Sequence, residues 1–211
     1  KVLIEKIKAG QSVALISDAG TPLISDPGYH LVNECREKGV EVVPIPGACA
    51  TITALSAAGL PTDRFSFEGF LPAKEKGKQD KLSALIEETR TMVFYESPRR
   101  IIDTVQQVIN ILGADRKLVI ARELTKTFES FYALPASEML AWLNEDTNHC
   151  RGEFVLMIAG AIPDNTAIPQ VALNTLTLLK EQLPLKKAAA LTAQIHSQKK
   201  NELYKWGLEN L

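Results

Sequence analysis

Asp18-Ala19-Gly20-Thr21-Pro22 and, three residues on, Ser25-Asp26-Pro27-Gly28 gather two carboxylates, two glycines and two prolines into one short loop. A loop of that kind lets backbone amides and carboxylates approach a small molecule closely. The same residues also suit a plain tight turn in which Asp26 caps the helix predicted to begin near Tyr29, so the loop alone leaves ligand binding and turn geometry both open. The spacing speaks against a phosphate cradle: no G-x-G-x-x-G follows the preceding apolar run, and no G-x-x-x-x-G-K-[ST] occurs in the chain. Comparable residues stand at the ends of other predicted strands: Pro46-Gly47-Ala48-Cys49-Ala50, Glu96-Ser97-Pro98, Arg122-Glu123-Leu124-Thr125-Lys126 and Arg151-Gly152-Glu153-Phe154. Two facing α/β domains would bring these turns to one cleft, the usual place of a ligand site. As separate surface features, Arg122 and Glu123 would be a structural ion pair and Glu96 a turn cap.

The elements that must carry these turns follow from hydrophobic period and punctuation. Val13-Ala14-Leu15-Ile16 predicts a buried parallel strand over residues 12–17, and 40–45 predicts a second. Helices are predicted over 2–8, 29–38 and 50–58, the last rich in small residues. This is a β-α-β-α order, hence parallel. Two parallel strands leave faces and edges uncovered, so further strands are expected ahead of Lys1. Leu60-Pro61 breaks the pattern. Beyond it a second, partly antiparallel α/β unit is predicted, with strands at 65–70, 91–95, 117–122, 129–133 and 153–159 and helices at 80–88, 99–112 and 136–143. The expected domains are therefore 1–62 and 63–161. A linker, 162–169, leads to a helical extension over 170–211, with helices at 171–183, 185–196 and 199–208; Ala188, Leu191 and Ile195 give the middle one an apolar face.

Composition limits the partners. With 211 residues, 45% hydrophobic, 23% charged and a net charge of −1, the chain is an ordinary globular protein and carries no uniformly basic coat. No run approaches the ~18 to 20 apolar residues of a membrane-spanning helix, and no signal-peptide pattern opens the chain; a cytoplasmic protein without membrane contact is expected. Cys35, Cys49 and Cys150 are widely separated and odd in number, so they are expected to be reduced. His30, His149 and His196 show no ligand spacing, and no metal is expected. Charge does cluster locally. Residues 64–81 hold five cations (Arg64, Lys74, Lys76, Lys78, Lys81) against three anions, and residues 184–211 hold five (Lys186, Lys187, Lys199, Lys200, Lys205) against two. Each cluster suits either a solvated face or nucleic-acid binding.

Five ordered motifs carry a resemblance. Ser17 to Gly28, Pro46 to Ala50, Glu68-Gly69-Phe70-Leu71-Pro72, Phe94-Tyr95-Glu96-Ser97-Pro98-Arg99-Arg100 and Arg122 to Lys126 together resemble the tetrapyrrole methylase superfamily. Within it they are most similar to the branch that 2′-O-methylates 16S ribosomal RNA, to which Gly152-Glu153-Phe154-Val155 and the basic helical tail also correspond. The resemblance covers essentially the whole chain. It implies a two-domain α/β fold of the class III S-adenosylmethionine methyltransferases with a small C-terminal helical extension. It further implies a homodimer acting on a cytidine ribose in the decoding region of the small ribosomal subunit. Carried over by motif, S-adenosylmethionine would meet Asp18, Ala19, Gly20, Thr21, Cys49 and Ala50 from one domain and Tyr95, Glu123 and Phe154 from the other. Relatives commonly read Pro-Gly-Pro where this chain has Pro46-Gly47-Ala48. A 2′-hydroxyl is weakly acidic, which makes Glu123 or Lys126 the expected catalytic base. Lys74, Lys76, Lys78, Arg99 and Arg100, with Lys186, Lys187, Lys199 and Lys200 on the tail, would meet RNA phosphates. A tetrapyrrole methylase of the same fold and a non-catalytic RNA-binding module are the alternatives.

Overall fold

In the computed structural model the chain divides into two compact units, Lys1–Ala161 and Ile162–Leu211, of which residues 2–162 and 168–211 are described. Part of the expected linker, residues 163–167, lies outside the described residues. The first unit opens with helices α1 (Val2–Lys8), α2 (Tyr29–Glu37) and α3 (Ala50–Ala57), then alternates β1 (Phe65–Phe70), α4 (Glu75–Ser83), β2 (Thr91–Glu96), α5 (Ile101–Leu112), β3 (Lys117–Arg122), β4 (Ser130–Pro135), α6 (Ala136–Glu145) and β5 (Phe154–Ile158). A short 3-10 turn, Thr147–Cys150, precedes β5 and has no counterpart in the sequence expectations.

The five strands form one sheet in the order β1-β2-β5-β3-β4. β1 and β2 are parallel, whereas β5 runs antiparallel to both its neighbours and β4 runs antiparallel to β3. Register sets the position of the site. Phe154 at the start of β5 lies opposite Glu96 at the end of β2 and opposite Arg122 at the end of β3, while Phe70 pairs with Tyr95. One edge of the sheet therefore collects the ends of β1, β2 and β3 with the beginning of β5. Between Phe67 and Gly69 the register of β1 slips by one residue, and Gly69 takes a φ of 68° there, a conformation open chiefly to glycine.

The apolar residues alternate, as a sheet covered on both faces requires. Met92 and Phe94, Leu118 and Ile120, and Leu156 and Ile158 pack on one face with α5 and α6. Val93, Val119, Ala121, Val155 and Met157 face the other way, toward Ala54, Leu55 and Ala58 in and just beyond α3. The small side chains of α3 allow its backbone close to the strands. Each fully buried Leu, Ile, Met or Phe contributes roughly 1.5–3 kcal/mol.

Two expectations fail here. Residues 12–17 and 40–45 form no strand and pair into no ladder among the described residues, and Ile16 and Ile45 are 83% and 79% exposed. Strand propensity supplies an extended backbone; only a neighbouring strand converts it into sheet. The parallel pair expected between these runs is replaced by a tie between the turns that follow them, where the Thr21 hydroxyl donates to the Ala48 carbonyl at 2.9 Å.

Where the sheet meets the carboxyl end of the unit, Arg90 donates to both carboxylate oxygens of Glu88, at 2.9 and 2.6 Å, and its backbone N–H adds a third bond at 2.8 Å. The Arg90 side chain, seconded by its backbone N–H, draws the Glu88 carboxyl from 4.5 down to about 2. Because the folded value is depressed, this clamp stabilises fully above the ordinary carboxylate range and is lost as pH falls through about 2. Titration of the Glu88 side-chain carbonyl by NMR should give that midpoint; one near 4.5 would show that the clamp is not kept.

The second unit has its own core. Helices α7 (Gln170–Lys180), α8 (Leu185–His196) and α9 (Lys200–Asn210) close around Ala172, Leu176, Ala188, Ala189 and Leu203. Ser197 ends α8 in the left-handed region at φ 53°, which turns the chain into α9.

Candidate active site

The sheet edge described above, the Asp18 turn and the Cys49 turn enclose a cavity of about 520 Å³, within the range of small-molecule sites. Its walls are Ala19, Gly20, Thr21, Ile24, Ser25 and Asp26 from the first turn, Cys49 and Ala50 from the second, and Phe70, Tyr95, Glu96, Ser97, Pro98, Leu124, Glu153, Phe154 and Val155 from the sheet. The two turns are held as one wall. Besides the Thr21–Ala48 bond, the Ser17 hydroxyl donates to the Gly20 carbonyl at 2.7 Å. Gly20, at φ 74°, takes a conformation open chiefly to glycine and lies beside Ala48, where a Cβ would stand in ordinary contact, 3.4 Å from that carbonyl oxygen. It lines the cavity with backbone alone.

Tyr95 is fixed from three sides. Thr51 donates to its hydroxyl at 3.0 Å, and the rings of Phe67 and Phe70 meet it edge-on with centroids 5.0 and 5.7 Å away, a favourable arrangement of aromatic quadrupoles. Burial pushes the phenol up, partly countered by the Thr51 hydrogen bond. It stays a neutral hydrogen-bonding group at physiological pH.

Below this wall lies a buried polar truss. Glu96, 3% exposed, accepts from the Ser97 N–H at 2.8 Å and the Thr104 hydroxyl at 2.7 Å, with the Arg100 Nε 3.4 Å away. Lys78, 2% exposed, donates to Thr104 at 3.1 Å and pairs with Asp103. Arg100 reaches across to the Leu71 and Pro72 carbonyls at 2.6 and 3.1 Å. The truss binds the turn after β1 to the turn after β2, whose Ser97 and Pro98 line the cavity. It also corrects two expectations: the Lys78 ammonium is enclosed in the protein, and the Arg100 guanidinium is occupied by carbonyls, so neither is presented to a phosphate. Lys74, Lys76 and Arg99 are exposed, as are Lys186, Lys187, Lys199 and Lys200 of the second unit.

The other residues singled out from sequence distribute as follows. Ala19, Gly20, Thr21, Cys49, Ala50, Tyr95 and Phe154 line the cavity; Asp18 adjoins it without lining it; Glu123 and Lys126 stand beyond its rim. Glu123, at φ 51°, exchanges backbone and side-chain hydrogen bonds with Glu153, its N–H donating at 3.0 Å and its Oε1 accepting the Glu153 N–H at 2.8 Å. Lys126 Nζ donates to Glu123 and Glu153 at 3.0 and 2.9 Å. These contacts hold the Glu123 carboxyl below its usual range, the Glu153 N–H first among the causes, and raise the Lys126 amine, the Glu153 carboxylate first. Both shifts run away from neutrality, opposite to what general-base work needs. The buried Glu96–Thr104–Lys78 truss was missed; the one sequence signal for it is a carboxylate closing the apolar run Met92 to Tyr95. Among the described residues no three His, Cys, Asp or Glu side chains are grouped to hold a metal ion, and no helix is long and apolar enough to cross a membrane.

Strand-end turns that enclose a cavity are where open α/β sheets bind small molecules. Residues 1–140 match the family model of the Tetrapyrrole (Corrin/Porphyrin) Methylases, and the chain belongs to that family. Residues 166–211 match the RsmI C-terminal HTH domain. Among curated relatives, Ribosomal RNA small subunit methyltransferase I of Vibrio cholerae serotype O1 is 58% identical over 212 residues, covering 100% of this chain and 74% of that protein. The protein of the same name from Escherichia coli O157:H7 is 56% identical over 209 residues, covering 99% and 73%. In fold, the chain is similar to the methyltransferase CobJ, with a TM-score of 0.55 at 18% identity over 75% of this chain and 68% of that one. It is also similar to diphthine synthase, with a TM-score of 0.54 at 16% identity over 75% and 63%.

Proposed function

We propose that this chain is an S-adenosylmethionine-dependent methyltransferase that methylates the 2′-hydroxyl of a cytidine ribose in 16S ribosomal RNA of the small subunit. The observation that carries the reading is the single cavity shared by the Ala19–Thr21 turn, the Cys49–Ala50 turn and Tyr95, in a chain more than half identical to small-subunit methyltransferases along its length. The residues suit the cofactor: bare backbone at Gly20, a hydroxyl held at Tyr95 and an apolar floor at Phe154 and Val155 match a ligand that is part amino acid and part nucleoside. When bound, S-adenosylmethionine supplies an electrophilic methyl group. The protein's part is to align a ribose oxygen in line with it and to exclude water. Ala19, Gly20, Thr21, Cys49, Ala50, Tyr95 and Phe154 are the walls assigned to the cofactor. Glu123 and Lys126 are assigned a positioning role, holding Leu124 and Glu153 at the cavity rim.

Exposed Lys74, Lys76 and Arg99 and the tail cations Lys186, Lys187, Lys199 and Lys200 are assigned to RNA phosphates, which makes subunit binding weaken steeply with salt. A homodimer and a cytoplasmic location, where small subunits are made, go with this reading. Labelled S-adenosylmethionine tests it. Label is expected in 16S RNA at one cytidine that resists alkaline cleavage. Label in a tetrapyrrole, or RNA retention without transfer, would overturn it.

A further inference from the structure

Beside the main cavity lies a second hollow of about 290 Å³. Leu124 and Glu153 line the first cavity where their chain neighbours Glu123 and Gly152 line the second. The second is completed by Arg122, Phe128, Asn148 and Arg151. Phe128 is 72% exposed, although the loop carrying it is braced: the Thr125 N–H donates to Glu129 at 2.7 Å, and the Glu129 N–H to the Lys126 carbonyl at 3.1 Å. A phenylalanine ring is thus presented largely to water on a braced loop. Arg122 is anchored, its Nε on Ser130 at 3.2 Å and its Nη1 on the Asn148 carbonyl, so that it shapes one side of the hollow. Arg151 and Asn148 are exposed at its rim, the Asn148 side-chain amide donating to Asp146 at 3.3 Å.

The charges here are mixed. Arg122, Arg151 and Lys126 stand among Glu123, Glu153 and Glu129, which fits a neutral ligand with donors and acceptors better than a phosphate. An exposed ring flanked by an amide and a guanidinium is how proteins receive an unpaired nucleobase: the ring stacks on the base and the polar groups meet its edge. We infer that this hollow takes an unpaired base of the RNA substrate, next to the nucleotide whose ribose enters the main cavity, with Phe128 as stacking platform and Asn148 and Arg151 at the base edge. The inference rests on the RNA reading of the main cavity, and adjacency gives it its place: Glu123 and Gly152 line this hollow where their chain neighbours Leu124 and Glu153 line the main cavity.

The test is the affinity of the full chain for small ribosomal subunits, measured by filter binding at fixed salt, for wild type, Phe128→Ala and Phe128→Trp. Phe128→Ala is expected to bind subunits about tenfold more weakly, Phe128→Trp within about twofold of wild type, and S-adenosylmethionine affinity by calorimetry to stay unchanged in both, in line with the usual worth of one stacked base. Subunit affinity within twofold of wild type for Phe128→Ala would overturn the inference. So would a parallel loss of cofactor affinity, which would mark Phe128 as a structural residue. Methyl transfer by the wild type is scored separately: weakened binding in Phe128→Ala without any transfer by the wild type would sustain the base site while removing the methyltransferase reading.

Discussion

Replacing Glu96 with alanine is expected to destabilise the first unit by about 3–5 kcal/mol, because it strips the buried Thr104 hydroxyl and the Ser97 N–H of their acceptor and removes the carboxylate beside Arg100. In a unit of this size that corresponds to a fall in melting temperature of about 10 °C. The loss falls unevenly across the truss. Asp103, the ionic partner of Lys78, has 61% of its side chain exposed and returns to water when the lysine is removed. Lys78→Met should therefore cost no more than about 1–2 kcal/mol, the scale of one hydrogen bond with its desolvation. The fully buried Thr104 hydroxyl has no such recourse once the Glu96 carboxylate is gone, whereas Arg100 keeps the Leu71 and Pro72 carbonyls. Thermal and urea denaturation of the two variants, with cofactor affinity read by calorimetry, checks the asymmetry. Equal losses would show that the truss is not organised around Glu96.

Substituting Gly152 with alanine is expected to lower methyl transfer to small subunits at least tenfold. Gly152 sits at φ 93°, and a Cβ there would stand 2.5 Å from Glu123 Cγ and 2.7 Å from Cδ, distances no side chain tolerates. The methyl group evicts the Glu123 carboxylate, and the clasp through Lys126 and Glu153 opens between the two cavities. Backbone strain adds about 1–3 kcal/mol. Removing the obstacle separates the causes. If collision with Glu123 dominates, Gly152→Ala combined with Glu123→Ala loses no more activity than Gly152→Ala alone, a non-additive pair; additive losses would reject the mechanism. The clasp should be insensitive to pH around neutrality. The lowered Glu123 carboxyl keeps it intact above the ordinary carboxylate range, failing only as pH falls through the lowered value, and the raised Lys126 amine keeps it intact until pH rises through its own.

Much of the sheet was legible from period alone. Residues 65–70 and 117–122 form strands with the expected limits, and 185–196 forms a helix with the expected limits, because strong alternation or a continuous apolar stripe leaves one choice. The run 12–17 shows where such reading stops: its residues carry the preference for an extended chain, but pairing depends on a neighbour that no local pattern contains. Lys78 shows a second limit. Between Gly77 and Gln79 it reads as a solvated cation, and its burial depends on Thr104 and Asp103, more than twenty residues away in the chain. The cavity itself was legible only as a set of strand-end turns, since Thr51 reaching Tyr95 and Ala48 meeting Thr21 are contacts between segments far apart in sequence.

The slipped register in β1 decides how Tyr95 is enclosed. In an unbroken strand, residues separated by an odd number of positions point to opposite sides, so Phe67 and Phe70 would be divided between the two faces. The supernumerary residue, Glu68, resets that parity, and both rings come to one phenol. The aromatic enclosure is thus written in a residue count as much as in residue identity. Excising a single position there would dismantle it while leaving both phenylalanines in the chain.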